Sequence, residues 1–276
     1  MFIFRPKNYQ IMLSLLLFIA SPAMADKKDY RILLTNDDGI HAAGLTALVN
    51  ALSQDYKVIV SAPAKKWGGK SHATLLWEKP ITVEEITLSN KAKGYSVHAL
   101  PADAARFGII HQRELNQPVD LLISGVNHGE NLGTLSHLSG TVGAAMEGTY
   151  YGIPAIAVSI EKRAATENDF AATTEAIKIL IEKIRENGLP VGTILNVNVP
   201  ENAKGMRIAP MDGVNVSVDR FIKTNNDYKP VFSYPKAQMG YSDMTVYSKG
   251  YIAVTPIKID WTDHQSLQKM HAWDLN

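Results

Sequence analysis

The chain has 276 residues, with 28 Lys and Arg against 27 Asp and Glu and a formal net charge of +1. That balance gives no electrostatic reason to expect nucleic acid as a partner. The absence of cysteine excludes disulfides, thiolate metal sites and cysteine nucleophiles together.

Residues 1–25 read as a targeting segment. Arg5 and Lys7 form a basic start, 11–20 (IMLSLLLFIA) is an apolar run of ten, and Ala23-Met24-Ala25 gives the small-x-small pattern of a signal-peptidase site. Ten apolar residues are too few to cross a bilayer, which takes roughly 20, and no later run approaches that length. The expectation is cleavage after Ala25 and export to the periplasm or beyond; an uncleaved anchor is the alternative. Without Arg5 and Lys7 the balance is 26 basic residues to 27 acidic. The remaining 26–276 suits one large α/β domain, or a domain with an appendage.

In chain order, 30–35 (YRILLT) has strand length and runs into Asn36-Asp37-Asp38-Gly39, residues that favour turns and helix caps. Apolar residues at helical spacing follow over 44–52, and 56–61 (YKVIVS) is the next strand. The unit returns with a strand at 119–124 (VDLLIS), a helix of small residues at 141–151 and a strand at 155–159. An amphipathic helix over 170–187 and a strand at 194–199 complete it. Apolar strands alternating with helices predict a doubly wound, mostly parallel α/β sheet. Residues 211–247 are polar without a helical period and read as extended hairpins appended to the sheet, an arm suited to meeting another subunit; 250–257 returns to strand alternation.

The Asp37–Asp38 pair falls where the first strand ends, and ligands of open α/β sheets bind outside the carboxyl ends of strands. Adjacent carboxylates suit Mg²⁺, Mn²⁺ or Ca²⁺, although an acidic turn or cap is the commoner meaning of such a tetrapeptide. Segment 124–133 (SGVNHGENLG) follows another strand directly and offers backbone N–H groups and amide oxygens to a metal or phosphate, or is an ordinary glycine-rich loop. Ser139-Gly140-Thr141 opens the next helix, either as a simple cap or as a phosphate-binding N-terminus. His41, His72, His128, His137 and His264 lie near loops without metal-ligand spacing. Neither a Walker loop nor a G-x-S-x-G elbow occurs, and the first strand ends in NDDGIHAAG rather than G-x-G-x-x-G, which disfavours a nicotinamide enzyme.

Taken together, RILLTNDDGIHAAGL, APAKKWGG, LPAD, VDLLISGVNHGENLG, LSGTVGAAMEGTYYGIPAIAVS, ILNVNVP and GYIAVTPIKIDWTDH, in that order, resemble the SurE family of metal-dependent nucleotidases, also called survival-protein phosphatases. The resemblance spans about 30–264. It implies a Rossmann-like core, a carboxyl-terminal extension that exchanges hairpins or a helix between subunits, and a homodimer or homotetramer. It also implies one divalent ion, Mg or Mn, held by two aspartates, a serine and an asparagine. Asp37, Asp38 and Asn127 fill three of these positions. The serine position, five residues after Pro63, is Gly68, which has no side-chain oxygen; water or a shifted Ser71 is the expected substitute.

The implied reaction is hydrolysis of nucleoside 5′- or 3′-monophosphates to nucleoside and phosphate, with Asp37 and Asp38 as catalytic residues. Asn36, Asn131, Ser139, Gly140 and Thr141 would cradle the phosphate. His264, with Thr262, would close the site or protonate the leaving oxygen. A nucleotide- or metal-binding protein weakened as a catalyst by Gly68 is the alternative, and a secreted interaction protein a more distant one.

Overall fold

The computed structural model describes residues 26–161, 167–213, 217–234 and 236–273. The targeting segment lies outside them, and among the described residues no helix is long and apolar enough to cross a membrane.

The chain runs β1 (Arg31–Thr35), α1 (Ala43–Leu52), β2 (Lys57–Pro63), β3 (Val83–Thr87), β4 (Lys93–Val97), α2 (Pro101–Glu114) and β5 (Leu121–His128). It continues through α3 (Gly140–Tyr150), β6 (Ala155–Ile160), α4 (Glu167–Asn187), β7 (Thr193–Val199) and β8 (Met206–Ile208). The last part holds β9 (Ser217–Thr224), β10 (Asp227–Ser233), α5 (Asp243–Ser248), β11 (Ile252–Lys258) and α6 (His264–Met270).

Nine strands form one sheet in the order β3-β4-β2-β1-β5-β6-β7-β11-β8. The six strands from β4 to β7 run parallel to one another. β3 pairs antiparallel with β4 and β11 antiparallel with β7, while β8 joins β11 in parallel.

Both faces of the parallel centre are covered, which is why its strands read as unbroken apolar runs. Successive side chains of a strand point to opposite faces. Ile32 and Leu34 accordingly join the cluster that includes Leu45, Leu48 and Leu52 of α1 and Ile177 and Ile181 of α4. Leu33 joins the opposite cluster, with Ala104, Ala105 and Ile109 of α2 and Ala144 and Ala145 of α3. Each fully buried Ile or Leu contributes roughly 1.5–3 kcal/mol.

Three sequence expectations need correction. β5 does not stop at Ser124; it continues through His128, with a register irregularity between Ser124 and Asn127. So half of the expected glycine loop is strand, and Asn127 has a fixed place beside Ser159 of β6. In the arm, β9 and β10 do form a hairpin, but it is a separate two-stranded ribbon rather than an extension of the main sheet. The arm's last part is helical. Ser242 caps α5, its Oγ accepting from the Thr245 backbone N–H while Thr245 Oγ1 accepts from Ser242 N at 2.8 Å, a reciprocal box that needs no long apolar period.

Candidate active site

β1 delivers the chain to the acidic turn. The fully buried Asn36 accepts from Gly39 N at 3.1 Å and donates to Gly39 O at 2.9 Å, closing the turn on itself. Gly39 adopts φ +104°, and a Cβ there would stand 3.2 Å from the Lys65 carbonyl carbon, so glycine is required both for its dihedral and for its space. Asn36 was expected against phosphate; both ends of its amide are instead committed to holding the turn.

Asp37 is buried beneath the start of α3. Thr141 Oγ1 donates to its Oδ1 at 2.7 Å, and its backbone carbonyl accepts from Trp67 N at 2.7 Å. Burial pushes the Asp37 carboxyl up to about 6, with the Asp38 charge adding to the rise and the Thr141 hydroxyl opposing it. Gly140, the first residue of α3, packs directly against it: a Cβ at that position would lie 3.0 Å from both Cβ and Oδ2 of Asp37.

Asp38 faces the adjacent strand. Its Oδ2 accepts from His128 N at 3.3 Å, and its Oδ1 is paired with the exposed Lys66 ammonium. Beside it, Asn127 donates from Nδ2 to Gly129 O at 2.7 Å. That orientation leaves its amide oxygen without a hydrogen bond among the described residues. Thr35 Oγ1 and Ser124 Oγ, on Cα-paired residues of β1 and β5, are buried without a hydrogen-bond partner among the described residues, as is His128 Nε2.

Other expected residues have different places. Ser139 caps α3, accepting from Val142 N at 3.2 Å. Asn131 sits in a buried amide cluster: its N–H donates to Asn198 Oδ1 at 2.7 Å and its Nδ2 to Ser159 Oγ at 2.8 Å, while its carbonyl accepts from Asn196 Nδ2 at 2.8 Å. Its side chain therefore braces the loop on the strand ends rather than facing a ligand. Gly68 is exposed, and a Cβ there would meet nothing closer than Lys66 Cε at 3.9 Å. Ser71, the other expected source of an oxygen, donates its hydroxyl proton to His137 O at 2.7 Å.

His264 lies on exposed α6 and pairs with Asp260 Oδ2 at 2.7 Å. This contact, with the Thr262 N–H and hydroxyl, holds the Asp260 carboxyl well below the usual range. The tail approaches the helix start through Trp261 instead, whose ring centroid is 6.5 Å from that of His137 and which lines a groove of about 250 Å³ with Ser71, Ser139 and Gly143. Sequence reasoning missed Trp261 and Lys66. It also missed Asn196 and Asn198, although two asparagines alternating through an otherwise apolar strand were the available signal.

The donor set consists of two carboxylates and one amide oxygen, with no cluster of three or more His, Asp and Glu among the described residues. Such hard oxygen donors, with positions left for water, fit Mg²⁺ or Mn²⁺ and not a soft metal. Gly140→Ala is expected to reduce catalysis about 10–100-fold by displacing the Asp37 carboxylate by a few tenths of an ångström. A thermal melt should show a small fall as well, since the added methyl also comes within 3.3 Å of the Trp67 carbonyl oxygen.

Fold and site together define an α/β protein with an acidic, oxygen-donor centre at the carboxyl ends of its parallel strands. The family described as Survival protein SurE matches residues 32–218. The 5′-nucleotidase SurE of Thermoanaerobacter sp. (strain X514) is 36% identical over 253 residues, covering 89% of this chain and 98% of that protein. The 5′-nucleotidase SurE of Pseudoalteromonas atlantica is 35% identical over 254 residues, covering 88% and 98%. The crystal structure of the SurE protein from Aquifex aeolicus superposes with a TM-score of 0.74 at 29% identity, covering 87% of this chain and 98% of that one. The chain belongs to the SurE family.

Proposed function

We propose that this protein is a metal-dependent phosphomonoesterase that converts nucleoside 5′- or 3′-monophosphates to nucleoside and phosphate. The observation that supports this reading is the acidic turn itself, with Asp37 bonded to Thr141 of α3 and Asp38 to His128 beside Asn127, within a chain whose relatives are named 5′-nucleotidases. When bound, the divalent ion supplies charge neutralisation and an activated water. Asp37 and Asp38 hold it, and Asn127 adds a neutral oxygen. Thr141 fixes one Asp37 oxygen and so orients the other. The α3 N-terminus directs its positive dipole end at a phosphoryl oxygen, and Lys66, paired with Asp38, adds a positive charge beside the acidic turn.

Release of phosphate from a panel of mononucleotides should appear with Mg²⁺ or Mn²⁺ and vanish on chelation with EDTA. Persistent release in EDTA would remove the metal from the reading.

Gly68 gives a second test. It stands in open space without a left-handed φ, so Gly68→Ser introduces a hydroxyl without strain. Its expected effect is a rise in metal affinity of about 10-fold, the scale of one added contact, read as a lower Mn²⁺ concentration at half-maximal rate. An unchanged metal requirement would mean that water already fills the position.

Two further parts of the reading concern assembly and place. Phe221, Ile222, Tyr228 and Phe232 are exposed on the β9–β10 ribbon, which supports a homodimer or homotetramer joined through the arms. The basic start, apolar run and Ala23-Met24-Ala25 of residues 1–25 support export to the periplasm or outside the cell.

A further inference from the structure

A second cavity, of about 310 Å³, opens at the amino ends of β1, β2 and β4, on the opposite edge of the sheet from Asp37 and Asp38. Arg31, Lys57 and Lys93 each begin one of those strands, and all three line it together with Lys91. No carboxylate is among the lining residues. Lys57 shares its charge with Asp29 at 2.7 Å, whereas Arg31, Lys91 and Lys93 have no ion-pair partner among the described residues. Tyr95 and Gln112, both buried, line the cavity with hydrogen-bonding groups.

Asp29, on Lys57, and Asp120, which accepts from Arg31 N at 2.8 Å, flank one side of the cluster and leave the exposed Lys91 and Lys93 as the cations free to meet an added anion. The local backbone reinforces the arrangement. Asn90 and Lys91 take consecutive left-handed conformations, φ +53° and +58°, which non-glycine residues adopt at a cost of roughly 1 kcal/mol or more each. Guanidinium and ammonium groups together suit phosphate oxygens, the first by its planar fork and the second as a point charge. The volume is at the lower end of the range for small-molecule sites.

We propose that this cavity is a second ligand site, separate from the catalytic centre, which takes a compact anion carrying a diphosphate group. Six residues of extended chain separate Arg31 from Asp37, about 20 Å at strand rise, so both sites can be filled at once. Diphosphate chemistry is shared by the free inorganic ion and by nucleoside diphosphates.

Calorimetric titration in EDTA tests the proposal, because without metal the acidic pair repels anions. Inorganic pyrophosphate and ADP are the two probes. Wild-type protein should bind one equivalent, more weakly as salt rises. Equal affinity for the two probes assigns the inorganic ion, and tighter ADP binding assigns the nucleotide. The double variant Lys91→Glu/Lys93→Glu should lose about 100-fold in affinity, and Lys91→Gln/Lys93→Gln should lose less, both with wild-type melting curves since these side chains are exposed. Asp38→Asn should bind as wild type. No binding of either probe at millimolar concentration would overturn the proposal. So would binding indifferent to both lysine variants, or binding abolished by Asp38→Asn.

Discussion

Asp37→Asn is expected to lower metal-dependent phosphate release by about 10³-fold or more, the scale on which loss of a group stabilising charge in the transition state is felt. The substitution keeps the shape, and the Thr141 hydroxyl can still donate to Oδ1. Under the proposed function, what disappears is one of the two negative charges that would hold the metal. Stability should move the other way. In the metal-free protein the Asp37 pKa is raised to about 6 by burial, so the fold favours its protonated form. That conflict is absent below the unfolded carboxylate value, grows as pH rises toward 6, and is fully present above it. Melting in EDTA should therefore show wild type losing stability across this window while Asp37→Asn does not. Saturating Mn²⁺ should stabilise wild type and leave the variant little changed. Loss of activity with a lowered melting temperature at every pH would make Asp37 a structural residue instead.

The second large effect is expected away from the metal. Glu147 of α3 is almost fully buried and meets Arg106 at 2.9 and 2.7 Å and His72 at 2.5 Å. Burial alone would raise the Glu147 carboxyl, yet the His72 and Arg106 contacts outweigh it and hold the group below its ordinary value of 4.5. Arg106→Met leaves a buried carboxylate with only His72. This should destabilise by about 3 kcal/mol, the low end for a broken buried pair because Arg106 is 24% exposed. For a chain of this size that is a fall of about 10 °C in Tm. A carboxylate with a lowered pKa contributes stability above its unfolded value and loses it as pH falls through the folded one. The deficit of Arg106→Met should thus be largest at neutral pH and shrink below 4.5, the ordinary value of Glu147. Adding Glu147→Gln should recover part of the loss. If the double variant is no more stable than Arg106→Met, the uncompensated charge is not the cause.

The parts of this molecule that were legible share a physical cause. Strands buried on both faces must be apolar along their whole length, so β1, β2 and β5 to β7 announced themselves, and the acidic turn could be placed at the end of one. Residues 64–118 gave no comparable signal. β3 is an edge strand with two exposed glutamates at its centre, and α2 packs largely through Ala102, Ala104, Ala105 and Gly108, residues too small to mark a helical face. The Pro101–Asp103 start of α2, proline in the first turn with an aspartate returning to the Leu100 N–H at 3.3 Å, was the readable clue.

Within the site, residue type was a poor guide wherever an asparagine could serve either backbone or ligand. Asn36 serves the backbone and Asn131 the Ser159 hydroxyl, and only the partners around them reveal it. His264 illustrates a different limit: adjacency of motifs in sequence does not establish adjacency in space, and its ring is committed to Asp260.

The root of the arm bears on how this fold can be cut or spliced. Asp243 accepts from Gly133 N at 2.8 Å and Asp212 N at 2.9 Å, while Asp212 accepts from Gln238 N, Met239 N and Ser242 Oγ. The chain entering the arm and the chain leaving it are thereby pinched together over the turn that feeds α3. The pinch makes the ribbon beyond it an interchangeable part. Material between 213 and 238 can lengthen, shorten or trade partners while both carboxylates stay in place, but an excision that takes Asp243 also releases Gly133, and one that takes Asp212 releases the Gln238–Ser242 side of the pinch. Such a graft boundary separates the exposed ribbon from the turn that feeds α3.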